Sequence, residues 1–391
     1  MLRSSTPSWS HGTVHHCRVG PRIALCAHHA LRRHPEPRLQ QVAATAPMLL
    51  PALAICGLCV LAYQLTRLVL ADCDLRLLSR GLAPPGAFTG KVVWVVGASQ
   101  GLGKQLALYW AARGAKLILS ARSEERLQAV AEEARRLVPA EEVQVLTLDL
   151  TGPFPALQAA AQAADSYWGG AGVDFMVLCA GASMAALAVD TEPEVVQALF
   201  SVNTLGPIHL TRAALPLMLA RSKGRIVVVA SMAGKVPSPG QSVYSACKMA
   251  VFGYFSSLAT EVAGSGVAVT LVCPGPVAAS PGPPRAVYGP QGLQQQTGAA
   301  AATSSADKAR MPAARCVELI AAAAAHGVDE AWISRHPVLA LAYVYQLLPT
   351  VGWFLLKKIG PKRARALKEG KSGYSVRGMA FGESRESKKL H

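Results

Sequence analysis

Val96-Gly97-Ala98-Ser99-Gln100-Gly101-Leu102-Gly103 is the stretch on which the reading of this chain turns. It follows an apolar, β-branched run, Lys91–Val96, and opens a segment with helical spacing, Leu102–Arg113. Glycines at 97, 101 and 103 permit a tight turn, close approach of a ligand to the backbone, and close packing of helix on strand. A pyrophosphate over Ser99–Gly103 would meet the helix N-terminus, where unpaired N–H groups and the helix dipole favour an anion. Three glycines alone are a weak signal. Set between a buried strand and a helix at the start of a βαβ unit, they are a strong one.

Outward from that turn the rhythm persists. Lys116–Ser120 reads as a second strand, Glu124–Leu137 as a charged helix and Val143–Leu148 as a third strand. Val173–Cys179, Arg225–Ala230 and Val267–Val272 repeat the apolar signature, with helical patterns between them. Strands without polar alternation, separated by helices, imply a parallel sheet covered on both faces. The expected fold is therefore α/β, a doubly wound parallel-sheet Rossmann arrangement over residues 91–334.

The flanks read differently. Residues 43–66 carry no charge and are long enough to cross a bilayer core of about 30 Å, so they are expected to form a signal-anchor transmembrane helix. Residues 1–42 read as a basic arm, either disordered or a targeting segment. Residues 67–90, with Pro84 and Pro85, read as a linker. Residues 278–312 interrupt the strand–helix pattern and are expected to cover a substrate cleft. Residues 335–391 comprise an apolar segment, Val338–Leu356, broken by Gln346 and Pro349, and a basic tail. That segment is expected to lie in a membrane surface, with a spanning helix and a buried helix pair as the alternatives.

Composition bounds the function. The net charge is +16, but six Arg against one Glu in residues 1–46 and eleven Lys/Arg against three Glu in residues 357–391 account for most of it. A nearly neutral body with basic ends fits membrane-surface contact or solvation rather than a nucleic-acid groove. The nine cysteines are scattered, and Cys56 and Cys59, the one Cys-x-x-Cys, fall in the apolar run, where thiols act as small hydrophobes. No metal site is expected.

Four further elements carry chemistry. After the second strand the chain reads Ser120-Ala121-Arg122-Ser123. A ribose 2′-hydroxyl wants a carboxylate there; an arginine instead favours a 2′-phosphate, hence NADP(H). Asp149-Leu150 ends the third strand, where the carboxylate can accept from an adenine amino group. Tyr244 and Lys248, four apart on a helix, share one face. A phenol of pKa about 10 becomes a usable acid/base near neutrality when an adjacent ammonium stabilises its phenolate. Ser231 ends a buried strand thirteen residues earlier and can orient a carbonyl. Asn203 lies in Asn203-Thr204-Leu205-Gly206, and the constrained turn Pro274-Gly275-Pro276-Val277 can hold a nicotinamide.

In this order the elements resemble the short-chain dehydrogenase/reductase superfamily over roughly residues 88–280. The resemblance extends to Ala71-Asp72-Cys73-Asp74-Leu75, Glu330-Ala331-Trp332-Ile333-Ser334 and Leu347-Leu348-Pro349-Thr350. It implies an endoplasmic-reticulum membrane enzyme similar to the 11-beta-hydroxysteroid and retinol dehydrogenases, acting on a small lipophilic substrate. It also implies roles. Tyr244 would be the proton donor and acceptor, Ser231 would polarise the carbonyl, Lys248 would bind nicotinamide ribose, and Asn203 would hold a proton-relay water. A homodimer through the Tyr244 helix is implied as well. Three positions depart from the pattern: Val96 where Thr is usual, Leu178-Cys179-Ala180-Gly181 in place of Asn-Asn-Ala-Gly, and Ala279 in place of Thr or Ser. They leave a second reading open, a nucleotide-binding scaffold or regulator that keeps the fold without turnover.

Overall fold

The structure, a computed structural model, describes residues 37–278, 286–295 and 310–369. The chain divides after Thr66 into two compact units. Helix α1 (Pro37–Leu70) runs through the boundary. Leu53–Leu70 within it is the one stretch among the described residues long and apolar enough to cross a membrane. Leu53, Ile55, Leu58, Val60, Leu61, Tyr63 and Leu65 are all exposed, so this helix presents apolar side chains on every side. The targeting expectation for the first residues lies outside the described residues up to residue 36.

The second unit runs α2 (Leu75–Arg80), β1 (Val92–Val96), α3 (Gly101–Ala111), β2 (Lys116–Ser120), α4 (Glu124–Ala134) and β3 (Val143–Val145). It continues with α5 (Phe154–Gly170), β4 (Phe175–Leu178), β5 (Ser183–Met184), α6 (Pro193–Phe200), α7 (Gly206–Ala220) and β6 (Gly224–Val229). Then come α8 (Ser242–Glu261), β7 (Val267–Pro274), β8 (Ala286–Gly289), β9 (Gly292–Gln295), α9 (Ala313–His326), β10 (Glu330–Ile333), α10 (Val338–Leu347) and α11 (Pro349–Lys368). Seven strands form one parallel sheet in the order β10-β7-β6-β4-β1-β2-β3.

Why the strands are apolar throughout follows from the pleat, which sends alternate side chains to opposite faces. In β1, Val93 and Val95 enter the core under α3, α4 and α9, while Val92, Trp94 and Val96 enter the one under α5, α7 and α8. The buried Trp94 indole donates to Ser120 Oγ at 2.9 Å, so its N–H is not stranded. The edge strand β3 is shorter than its sequence pattern. Beyond it Leu146 and Leu148 still donate to Leu119 O and Ala121 O, at 2.9 and 3.0 Å.

Two expectations need correction. Residues 67–90 are not a linker. Asp74 N donates to Trp332 O at 2.8 Å, Asp74 Oδ2 accepts from Trp332 N at 2.6 Å, and Oδ1 caps α2 through Leu77 N at 3.0 Å. Arg315 pairs with Asp72 at 2.7 Å and Arg76 with Asp329 at 3.0 Å. Phe88 is buried, its ring 5.5 Å from Phe175 and 6.0 Å from Trp110. Charged residues that look like solvated linker therefore tie this segment to α9 and to the edge strand β10. Second, residues 278–312 are not wholly irregular. Strands β8 and β9 pair antiparallel, and β8 pairs with β5, making a small sheet beside the main one. Residues 279–285 and 296–309, with Ala279, lie outside the described residues.

The C-terminal apolar segment breaks at Pro349 into α10 and α11. Leu339, Ala342, Gly352 and Leu356 are buried, and α11 carries the basic run as far as Lys368.

Candidate functional site

The C-terminal ends of the parallel strands bring the sequence-predicted residues to one edge of the sheet, where ligands bind in open α/β folds. After β1, Gly97 has φ +96° and Gly101 φ +57°, both left-handed. A Cβ on Gly97 would lie 2.6 Å from Ala180 N, and one on Gly103 only 2.0 Å from Gly97 O. The turn is therefore shaped by what glycine lacks. Helix α3 has no side-chain cap at Gln100 and no acid in its first turn, so the amides of Gly101, Leu102 and Gly103 are left to meet an anion above Ser99. This cradle fits a dinucleotide pyrophosphate.

Arg122 stands exposed just past β2 and has no hydrogen-bond or ion-pair partner among the described residues. Ser123 caps α4 by accepting from Arg126 N at 3.4 Å, and Arg126 Nη1 donates to Gln100 Oε1 at 3.4 Å. This second guanidinium beside the glycine turn was not read from the sequence, and only its place in the first turn of the charged helix could have hinted at it. Asp149 turns one oxygen into its own turn, Oδ1 accepting from Thr151 N and Oγ1 at 2.9 and 2.8 Å. Leu150 packs on Gly206, where a Cβ would lie 2.7 Å from Leu150 O.

On the other side of the cleft, Asn203 sits buried in a π-helical turn, Ser201–Leu205, between α6 and α7. Its amide nitrogen donates to Ala182 O and Leu199 O, both at 3.0 Å, and its Oδ1 accepts from Ala182 N at 3.1 Å. The side chain thus braces the segment after β4. This is the region where Cys179, whose backbone N donates to Val96 O at 2.9 Å, brings a thiol rather than an amide. Gly181 fits between Asn203 and Lys248: a Cβ there would lie 2.6 Å from Asn203 Oδ1 and 3.7 Å from Lys248 Nζ.

Ser231 follows β6 and caps a 3-10 turn, accepting from Ala233 N at 3.1 Å. That turn passes so close to α8 that a Cβ on Gly234 would lie 3.1 Å from the Lys248 backbone. Tyr244 lies half-buried in the first turn of α8, with Lys248 one turn on and its Nζ 5.7 Å from the Tyr244 ring centre. Lys248 is 5% exposed and donates to Val229 O at 3.2 Å. Burial pulls its pKa from the usual 10.5 down to about 8, so the ammonium survives at neutral pH close to its titration point. Burial also pushes the neighbouring Cys247 and Cys273 thiols up, which keeps them neutral beside it.

Gln241 is the residue that sequence reading missed most plainly. Buried at the start of α8, it donates to Ser183 Oγ at 3.1 Å and accepts from Ser238 Oγ at 2.8 Å and Arg363 at 3.4 Å. At the end of β7, Pro274-Gly275-Pro276-Val277 is held against β10 and Met311. Gly275 N donates to Ile333 O at 2.8 Å, Met311 N donates to Pro276 O at 2.9 Å, and Val277 bridges to Met311. A Cβ on Gly275 would strike Ser334 Oγ at 2.1 Å.

Comparison with known proteins places this geometry among relatives. A family model described as short chain dehydrogenase matches residues 91–282. The chain is 34% identical to dehydrogenase/reductase SDR family member 7 of Homo sapiens over 329 residues, 83% of this chain and 94% of that protein. It is 37% identical to 11-beta-hydroxysteroid dehydrogenase A of Arachis hypogaea over 188 residues, 48% of this chain and 52% of that one. A solved metagenomic short-chain oxidoreductase in complex with NADP is 32% identical with a TM-score of 0.45, covering 49% of this chain and 85% of its own.

Proposed function

The chain belongs to the short-chain dehydrogenase/reductase family of oxidoreductases, and from that premise we propose that it interconverts a carbonyl and an alcohol on a lipophilic substrate with NADP(H). The observation that carries the reading is the convergence of Ser231, Tyr244 and Lys248 on the cleft beside the glycine cradle.

Each residue has a task. The Gly97–Gly103 turn holds the pyrophosphate, Arg122 a 2′-phosphate, Asp149 and Leu150 the adenine end, and Pro274, Gly275 and Val277 the nicotinamide end. When bound, the nicotinamide supplies or accepts a hydride. Ser231 Oγ donates to the substrate oxygen and orients it. Tyr244 Oη gives that oxygen its proton in reduction and removes it in oxidation. The Lys248 ammonium stabilises the phenolate that remains, through its charge at a buried position. Asn203 keeps the floor beneath Lys248 in place through Ala182.

Substrate apolarity is supported by the packing around Tyr244. Met184, Ala186, Val195, Leu199 and Cys247 form a buried cluster, with Val243, Phe200 and Tyr288 against it. The exposed apolar surface of α1 supports its role as a membrane anchor.

Tyr244→Phe tests the mechanism. Removing the phenolic proton should lower the rate of NADPH oxidation with hydrophobic ketones by about 10²–10⁴-fold, with cofactor binding and thermal stability unchanged. Turnover at the native rate in that variant would refute the assignment.

A further inference from the structure

The orientation of α11 is set by its inner face. Gly352, Leu356, Gly360, Arg363 and Leu367 follow one helical stripe; Gly352 packs on α10 and the other four meet the body of the domain. A Cβ on Gly352 would lie 2.7 Å from Tyr345 Cα, and Leu356 is buried in the core. A Cβ on Gly360 would lie 3.5 Å from Pro239 Cγ, and one on Gly240 would lie 2.7 Å from Leu367 Cδ2. Arg363 donates to Gln241 Oε1 at 3.4 Å, and from α10 Gln346 donates to Lys235 O at 2.7 Å.

With that stripe committed, the opposite face must point outward. At the elbow between the helices Leu347 is 72% exposed, Leu348 57%, Phe354 58% and Trp353 48%. So many large apolar side chains exposed side by side mark an interaction surface rather than the scattered hydrophobes of ordinary protein exteriors. Further along the same helix come Lys357, Lys358, Lys362, Arg363, Arg365 and Lys368, with no acid before Glu369. All of these but Arg363 are exposed. Lys358 Nζ lies 4.2 Å over the Phe354 ring.

From this surface we infer that the α10–α11 elbow docks on an anionic phospholipid bilayer. The inference rests on the reading of α1 as an anchor and adds a second, peripheral contact. An apolar tip followed within a turn by cations is the order in which an interfacial helix meets acyl chains and then phosphates. Each Lys or Arg near an anionic leaflet favours contact about fivefold. A second copy of the chain would bring like charges together on this face. The inner face meanwhile holds residues 235–241, the segment between Ser231 and Tyr244, so the docked bilayer abuts a wall of the cleft.

Trp353 reports the contact. The full chain is reconstituted in nanodiscs of phosphatidylcholine, with or without phosphatidylserine, using lipids with brominated acyl chains. The Trp353 signal is the difference between the native chain and Trp353→Phe. Bromine is expected to quench at least about half of that signal in phosphatidylserine discs, and less in neutral discs or high salt. Quenching should be lost in Leu348→Glu/Phe354→Glu and fall to the neutral-disc level in Lys358→Gln/Lys362→Gln/Arg365→Gln. An unquenched Trp353 in phosphatidylserine discs overturns the inference and leaves the anchor standing; two copies per disc with Trp353 shielded would show a second chain on the elbow instead. Quenching that ignores lipid charge, salt and the Gln variants overturns the anionic partner. A chain that fails to enter discs yet binds phosphatidylserine vesicles with Trp353 quenched keeps the elbow and overturns the anchor. Binding to neither overturns both.

Discussion

The turn after β1 and the first turns of α8 face one cleft, yet they are held by opposite means. Around Gly97 and Gly103 the backbone meets backbone, and no side chain larger than hydrogen fits without moving it. Around Tyr244 and Lys248 the structure tolerates a buried ammonium whose hydrogen bond is to the Val229 carbonyl, at the cost of a pKa drawn down to about 8. One half is specified by sterics and is insensitive to pH. The other is specified by electrostatics, so its perturbation should be graded and pH-dependent.

The harshest test of that contrast is Gly103→Ala. A Cβ 2.0 Å from Gly97 O and 2.8 Å from its carbonyl carbon forces a backbone shift. We expect a loss of more than about 3 kcal/mol of stability and of nucleotide binding together, at every pH, measured by denaturant unfolding and titration calorimetry. A variant of native stability that still binds cofactor would show the cradle to be pliable.

Lys248→Met should behave in the opposite way. Turnover should drop about 100-fold or more, since the phenolate loses its counter-charge. Stability should instead rise by about 2–3 kcal/mol at pH 7, because a buried charge is replaced by an apolar chain of similar length. The sign with pH follows from the lowered pKa. Below about pH 8 both folded and unfolded native chains hold the proton and the burial cost is constant. Between about 8 and 10.5 the folded state releases it first, so native stability climbs and the gap to Lys248→Met closes. Urea unfolding at pH 7, 9 and 10.5 checks this, and a gap constant with pH would mean that Lys248 is not the titrating group.

The smallest effect belongs to the exposed rim. Ala121→Asp with Arg122→Leu replaces a free guanidinium by a carboxylate suited to a ribose hydroxyl. NADPH binding should weaken about tenfold or more, on the order of 1.5–3 kcal/mol, while NADH binding improves. Arg126, held near the same turn by Gln100, should keep some affinity for the 2′-phosphate. Equal affinity of the native chain for both cofactors would make Arg122 a surface cation only.

How much of this was legible in the residues depends on range. Six of the sheet's seven strands, the glycine turn and the Tyr244–Lys248 pair are encoded in short windows, where hydrophobic runs, glycine spacing and an i,i+4 offset act through local geometry, whereas the short edge strand β10 was not read as a strand. The place of Arg122 just past β2 was equally legible, since it follows directly from the second apolar run. Boundaries were less so: β3 stops at Val145 because it is an edge strand, a fact about its neighbours rather than its composition.

What the sequence by itself determined, then, is the α/β class, the position of the glycine turn and the i,i+4 pairing of Tyr244 and Lys248 on one helix, because each is a pattern of steric permission or spacing within a few residues. Only the tertiary structure decided that Asp72 and Asp74 belong to the catalytic domain, that β8 and β9 fold back beside β5, and that Gln241 ties the start of α8 to Ser183 and Arg363. These partners lie up to 258 positions apart. Each bond is worth about 1 kcal/mol on its own, so none imposes a local pattern, and each forms only after the sheet has brought its two ends together.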